Sequence, residues 1–250
     1  MGHSTTSTNH QPAAFNTLQL TLDPDPWGRT SLPPWICGKA QLASTPDQLE
    51  AIYRFRYEIL CDIHHKPHPE ADHTNRRLTD ELDLSAFNAF VPGPSGLYAV
   101  GRLVPSSQPI ARSRILAAGG RPFLDHFGEA GVVKVGRLCQ IGNPGGAMAI
   151  IAILKALLVA SIQAGFHAAV FTTQPKNRSL FERLGCRYFG WQYQHAYLGQ
   201  QIGMCLMPRD ADYLRQLRSP LAAAAEFGGH LESDARWYQN TFSSKASDSN

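Results

Sequence analysis

The chain has 250 residues and a net charge of +3, with 43% hydrophobic and 17% charged residues. That length suits one large domain or two small ones, each able to bury a core. The composition is a poor fit to collagen-like, coiled-coil and wholly disordered chains, and so small a charge without a Lys/Arg block gives no case for a nucleic-acid binder, leaving any basic partner surface to a local patch. The five cysteines, Cys37, Cys61, Cys139, Cys186 and Cys205, form no CxxC pair and read as buried free thiols rather than disulfides or zinc ligands.

Residues 1–30 are rich in Ser, Thr, Asn, Pro and Asp and read as a loose tail. The first six residues fit the MGxxxT lipidation pattern, but a polar tail is the better reading. They carry no charged-then-apolar signal, so a cytoplasmic location is expected. WICGKAQLA (35–43) is a candidate first strand. Thr45-Pro46-Asp47-Gln48 starts a helix, with Thr45 as N-cap and Gln48 closing a capping box. Leu49, Ile52, Phe55 and Ile59 share one face of that helix, which is expected to run to about Asp62.

LSAFNAFV (84–91) and GLYAVGRLV (96–104) predict an antiparallel hairpin turning at Pro92–Ser95. A Pro/Arg/Gly-rich connection follows. GVVKVGRLCQI (131–141) is the clearest strand and leads through GNPGGAM into a long apolar run, Ala147–Ile162. That run carries Lys155 and falls short of a ~20-residue membrane span, so a buried helix is expected. AAVFTT (168–173) reads as a strand, SLFERLG (179–185) as a short helix closed by Gly185, and QHAYLGQQIGMCLM (194–207) as a closing hairpin. Residues 211–250 read as a partly helical extension with a polar end.

The turn from Gln140 to Ala147 lies between a strand and a helix start. Glycines let backbone approach a ligand, and a helix N-terminus offers free N–H groups to phosphate. The turn is neither GxxxxGK[ST] nor GxGxxG, so nucleotide hydrolysis is disfavoured. His64, His65, His68 and His73 are dense, but Pro67 and Pro69 spoil helical metal-ligand spacing, and no metal is expected. No GxSxG or Cys–His signature suggests covalent catalysis.

VGRLCQIGNPGGA, a long helix, a strand and then KNRSLFERLGCRYFG resemble the GNAT N-acyltransferases. In the first half, Phe55-Arg56-Tyr57-Glu58-Ile59, Asp80-Glu81-Leu82-Asp83, Arg102-Leu103-Val104-Pro105-Ser106 and Val135-Gly136-Arg137-Leu138 resemble, in order, four motifs of the acyl-homoserine lactone synthases. The resemblance covers about residues 50 to 190. It implies a GNAT fold, a mixed, mostly antiparallel sheet flanked by helices, over residues 31–210. It also implies transfer of an acyl group from a phosphopantetheine thioester, carried by acyl-carrier protein or CoA, to the amine of an amino acid or its derivative, with no tightly bound cofactor.

On this resemblance Asp80 and Asp83 bind the ammonium group and accept its proton. Arg56 and Arg102 orient them or grip a carboxylate. Lys134, Arg137 and Phe181 line the substrate site. Leu138, Cys139, Gln140, Gly142, Gly145, Gly146 and Ala147 hold the pantetheine arm, and N–H groups at Leu138–Gln140 stabilise the carbonyl oxygen. Two departures stand out: Lys134 where the synthases carry Glu, and Phe181 where many GNATs carry Tyr. The first disfavours S-adenosylmethionine as acceptor. Pro144 loosens the phosphate turn, which favours a carrier-protein donor, and Lys176, Arg178, Arg183 and Arg187 form a candidate basic patch for it. A lactone synthase using S-adenosylmethionine and a binding module without turnover remain the alternatives.

Overall fold

The computed structural model describes residues 32–242 apart from residue 197; the predicted tail, its lipidation pattern and the polar end lie outside the described residues. Pro33 and Pro34 start a helical turn, α1 (Pro34–Cys37), so the expected first strand shrinks to β1 (Gln41–Leu42). Proline fixes φ near its helical value and lacks the N–H that a first turn leaves unpaired. α2 (Pro46–Tyr57) begins at the expected cap. Thr45 accepts from the Gln48 N–H, and the Gln48 side chain accepts in return from the Thr45 N–H. It then widens into a π-helical stretch, Glu58–Ile63. Ile52, Phe55 and Ile59 are buried along one face, as their spacing predicts.

A small ribbon, β2 (Ala71–Asp72) and β3 (Arg77–Leu78), precedes a 3-10 turn at Glu81–Ser85. The hairpin follows as β4 (Phe87–Gly93) and β5 (Gly96–Pro105), pairing out to Gly93 opposite Gly96. The Pro/Arg/Gly-rich connection is not loop. It holds α3 (Pro109–Ala117) and α4 (Arg121–Gly131), the latter broken where Gly128 takes φ 69° and ψ 176°.

β6 (Val132–Gln140), α5 (Pro144–Gln163) and β7 (Ala168–Thr173) come next. Then α6 (Arg178–Arg183) ends at Gly185, whose φ of +96° favours glycine; a Cβ there would also meet Leu214 Cδ2 at 1.9 Å. β8 (Arg187–His195) and β9 (Gly199–Leu206) close the sheet, β8 beginning seven residues earlier than the expected hairpin. α7 (Ala211–Gln216), α8 (Ala222–Glu226) and α9 (Glu232–Phe242) finish the described chain.

The seven-stranded sheet has the order β1-β4-β5-β6-β7-β9-β8, and only the β6–β7 pair is parallel. α5 covers one face of it, through Ile153, Leu154, Leu157 and Leu158, and is covered in turn by α1 and α8. A helix apolar on all sides needs such double cover, and most of α5 is buried against the protein. α2 covers the opposite face through Ile52, Phe55 and Ile59 against Phe90 and Val100. Beyond it, Phe123 of α4 stacks on Phe242 of α9 at 5.3 Å. Each large apolar side chain so buried contributes about 1.5–3 kcal/mol.

Candidate active site

Asp80 caps the 3-10 turn: its Oδ1 accepts from the Leu82 N–H at 3.1 Å, and Asp83 Oδ2 accepts from the Asp80 N–H at 3.1 Å. This reciprocal cap sets the two carboxylates at different depths. Asp83 is buried, with Arg56 (0% exposed) at 2.7 Å and Arg102 (2% exposed) at 2.8 Å. Arg56 also donates to Asn88 Oδ1, and Thr79 Oγ1 donates to Asp83. Asp80 accepts from Arg102 at 2.6 Å, and from Arg114 and Arg137 at 3.1 Å each.

Burial alone would raise both carboxyls. The surrounding guanidiniums outweigh it and hold both well below the usual carboxylate range. Both are thereby weak bases, negative charges that organise arginines.

A cavity of about 960 Å³ opens beside Asp80 and Arg102 and passes through the sheet. β6 and β7 pair only over Val132–Lys134 and then part. The cavity uses that gap. On the α5 face it is lined by Leu154, Leu157, Leu158, Phe171, Phe181 and Leu206, and on the α2 face by Asp80, Arg102, Arg114, Lys134 and Arg137.

β6 carries an extra residue here. Arg102 pairs with Gly136 but Val100 with Cys139, and Arg137 takes φ +52°. This bulge turns Arg137 toward Asp80 and Glu70, with both of which it pairs. Lys134, half-buried at the parting of the strands, donates from Nζ to the Val135 carbonyl at 3.3 Å. Burial, then Arg102, Arg114 and Arg137, push its amine down to about 7, against the opposing pull of Asp80.

Of the residues singled out in the sequence, Asp80, Arg102, Lys134, Arg137, Leu138, Cys139 and Phe181 line this cavity; Arg56 and Asp83 lie behind it. Burial pushes the Cys139 thiol up to about 11, so it is a poor nucleophile. Gln140, Gly142, Gly145, Gly146 and Ala147 are not among the lining residues. Pro144 is the first residue of α5 and has no N–H. Asn143 Oδ1 takes the Gly146 N–H at 2.9 Å, and the Ala147 N–H bonds Asn143 O. Only Gly145 keeps a first-turn N–H to offer. Gly146 has its own packing reason: a Cβ would meet the Ile141 carbonyl oxygen at 2.1 Å.

Arg187 leaves the basic patch. It is buried, pairs with Asp210 at 2.6 Å, and lies 3.6 Å from the Tyr213 ring centroid. Lys176, Arg178 and Arg183 are exposed around Asn177 and Phe181, which line the cavity. Sequence reasoning missed Arg114, Tyr193 and His195, all of which reach the same cavity. Arg114 sits in the stretch read as loop; Tyr193 and His195 carried no motif. Among the described residues, no group of three His, Cys, Asp or Glu is placed to hold a metal ion.

No family model and no curated protein sequence matches the chain. Solved structures do match it in fold. TofI, in a ternary complex with an inhibitor and MTA, is 17% identical, over 74% of this chain and 98% of that one, with a TM-score of 0.55. The acyl-homoserine lactone synthase LasI is 14% identical, over 77% and 95%, with a TM-score of 0.54. The CoA-dependent acyl-homoserine lactone synthase MesI is 20% identical, over 69% and 86%, with a TM-score of 0.52. The chain has the fold of these proteins, a mixed α/β fold with a mostly antiparallel seven-stranded sheet flanked by helices.

Proposed function

We propose that the protein is an N-acyltransferase that moves an acyl group from a phosphopantetheine thioester to the amine of a carboxylate-bearing acceptor, an amino acid or its derivative. One observation carries this reading: the cavity crosses the sheet at the β6–β7 gap, apolar on the α5 side and charged on the Asp80 side. An acyl chain suits the first half and a small zwitterion the second, which brings carbonyl carbon and amine together at the gap.

In the charged half, Arg114 has a 40% exposed side chain and a single 3.1 Å contact to Asp80. It is free to take a substrate carboxylate, which the fully buried Arg56 and Arg102 are not. Asp80 supplies the negative charge that faces the ammonium group. Beyond Lys134, no β7 residue pairs with β6, so N–H groups along Leu138–Gln140 are candidates for the developing oxyanion. The thiolate needs little help to leave, with a thiol pKa of ~8.5.

Two features support a carrier protein as donor. The α5 N-terminus has only one free first-turn N–H for a pyrophosphate, and exposed Lys176, Arg178 and Arg183 surround the Phe181 end of the cavity. Three guanidiniums and Lys134 oppose the sulfonium of S-adenosylmethionine. The test is incubation with acyl-carrier thioesters or acyl-CoA and pooled amines, followed by mass analysis. An N-acyl amino acid is expected and homoserine lactone is not. Unchanged thioester with both donors and every amine would overturn the proposal.

A further inference from the structure

We propose that Lys134 is the catalytic base, the group that takes the proton from the acceptor's ammonium; this rests on the acyl-transfer reading above. An amine attacks a thioester only as the free base, so a proton acceptor must lie where acceptor and carbonyl meet. Lys134 stands there. It is the last β6 residue paired with β7, opposite Val170, and it lines the cavity where the strands part. Its Nζ lies over Gly136, 3.3 Å from where a Cβ would stand, and donates to the neighbouring Val135 carbonyl. Among the described residues it joins no ion pair.

The charges that face it come from four places: Arg102 on β5, Arg114 on α3, Arg137 on β6, and Asp80 before the 3-10 turn. Farther along the cavity lie Glu70, Glu81, Lys66, His68, Tyr193 and His195; β7 and α5 contribute no titratable side chain. Three guanidiniums against one nearby carboxylate, together with burial, disfavour a fourth positive charge. The amine is therefore held well below the ordinary lysine range, down to about 7, and supplies the uncharged form at neutral pH. Asp80, loaded with arginines, is no rival for the proton.

The protons balance as follows. Neutral Lys134 takes one proton from R–NH₃⁺, leaving R–NH₂ and Lys134–NH₃⁺. The amine nitrogen forms a C–N bond to the thioester carbon, and the C–S bond breaks with its electron pair on sulfur. The second amine proton passes to the thiolate, giving amide and thiol. Lys134 releases the first proton to solvent and is reset.

Two readouts test this. In the first, kcat/KM of the wild type rises with pH and levels off above about 7. Lys134→Arg, which keeps the charge but cannot give up its proton, should lower kcat by about a hundredfold or more while the acceptor KM moves less than about threefold. Lys134→Gln should lose as much. Retention of kcat by Lys134→Arg would overturn the proposal and leave Lys134 as a carboxylate anchor.

The second readout needs no turnover. The pH dependence of dinitrofluorobenzene labelling at Lys134, followed by peptide mass, should have its midpoint near 7. A midpoint near the ordinary lysine value of ~10.4 would overturn the proposal even in an active enzyme. No acylated product from the wild type, with a labelling midpoint near 7, would instead overturn the acyl-transfer reading and the catalytic role that rests on it.

Discussion

Asp80 and Asp83 belong to one short motif and cap one 3-10 turn, yet they serve two layers of the molecule. Asp83 faces inward to Arg56, Arg102, Thr79 and the main chain, and no solvent reaches the pair it forms with Arg56. Asp80 faces the cavity and gathers Arg102, Arg114 and Arg137 around it. Arg102 bridges them. The lesson is that a motif can join a supporting charge to a working one, and that depth, three residues apart, separates the two roles.

The sharpest break in this comparison is Asp83→Ala. It strands Arg56 as a buried, uncompensated charge and should cost about 3–5 kcal/mol of stability, read as a shifted denaturant midpoint. A stable variant with impaired kinetics alone would move Asp83 into the working layer. Arg114→Ala should do the reverse. Its half-exposed side chain carries little of the fold, while the lost charged contact, about 1.5–3 kcal/mol, should raise the acceptor KM roughly ten- to a hundredfold. An unchanged KM for carboxylate acceptors would remove Arg114 from the site.

Acid separates the layers by stability. Both folded carboxyls lie below the unfolded value of ~3.9, so the stability they add is complete above that pH and is lost as pH falls through the folded values. Arg114→Ala removes one of Asp80's partners and should make the protein slightly more acid-labile, measured as midpoint against pH. The smallest effect concerns the donor. Charge reversal at Arg178 and Arg183 should lower kcat/KM several-fold for a carrier-protein donor at low salt and leave a small pantetheine thioester untouched. Arg187→Glu, by contrast, should damage folding, because Arg187 is buried on Asp210.

Strands β4 to β7, α2 and α5 were legible because their signals are local: the Thr45 capping box, the apolar runs of β4 and β5 joined by a Pro/Gly turn, and the apolar length of α5. The connection at 105–131 was not. Its helices are short, and the stretch contains Pro109, Gly119, Gly120, Pro122 and Gly128, residues that usually mark loops; missing α3 meant missing Arg114. The four charged residues of the acceptor motifs do meet in space. Their two-layer arrangement was hidden, since depth depends on α2 lying over that face of the sheet. Arg187 was misjudged for the same reason: only the tertiary fold brings Asp210, Tyr213 and Tyr238 around it.

The bulge at Arg137 also sets a rule of counting. Along a regular strand, side chains three positions apart point to opposite sides, so Lys134 and Arg137 would be divided by the sheet. The one additional residue in β6 reverses that parity and lets both address the same chamber. A regular strand with the same three-residue offset would keep every charged side chain and still send one of the two to the wrong side. Searches for related chains should therefore weigh the spacing between these positions as heavily as the residues themselves.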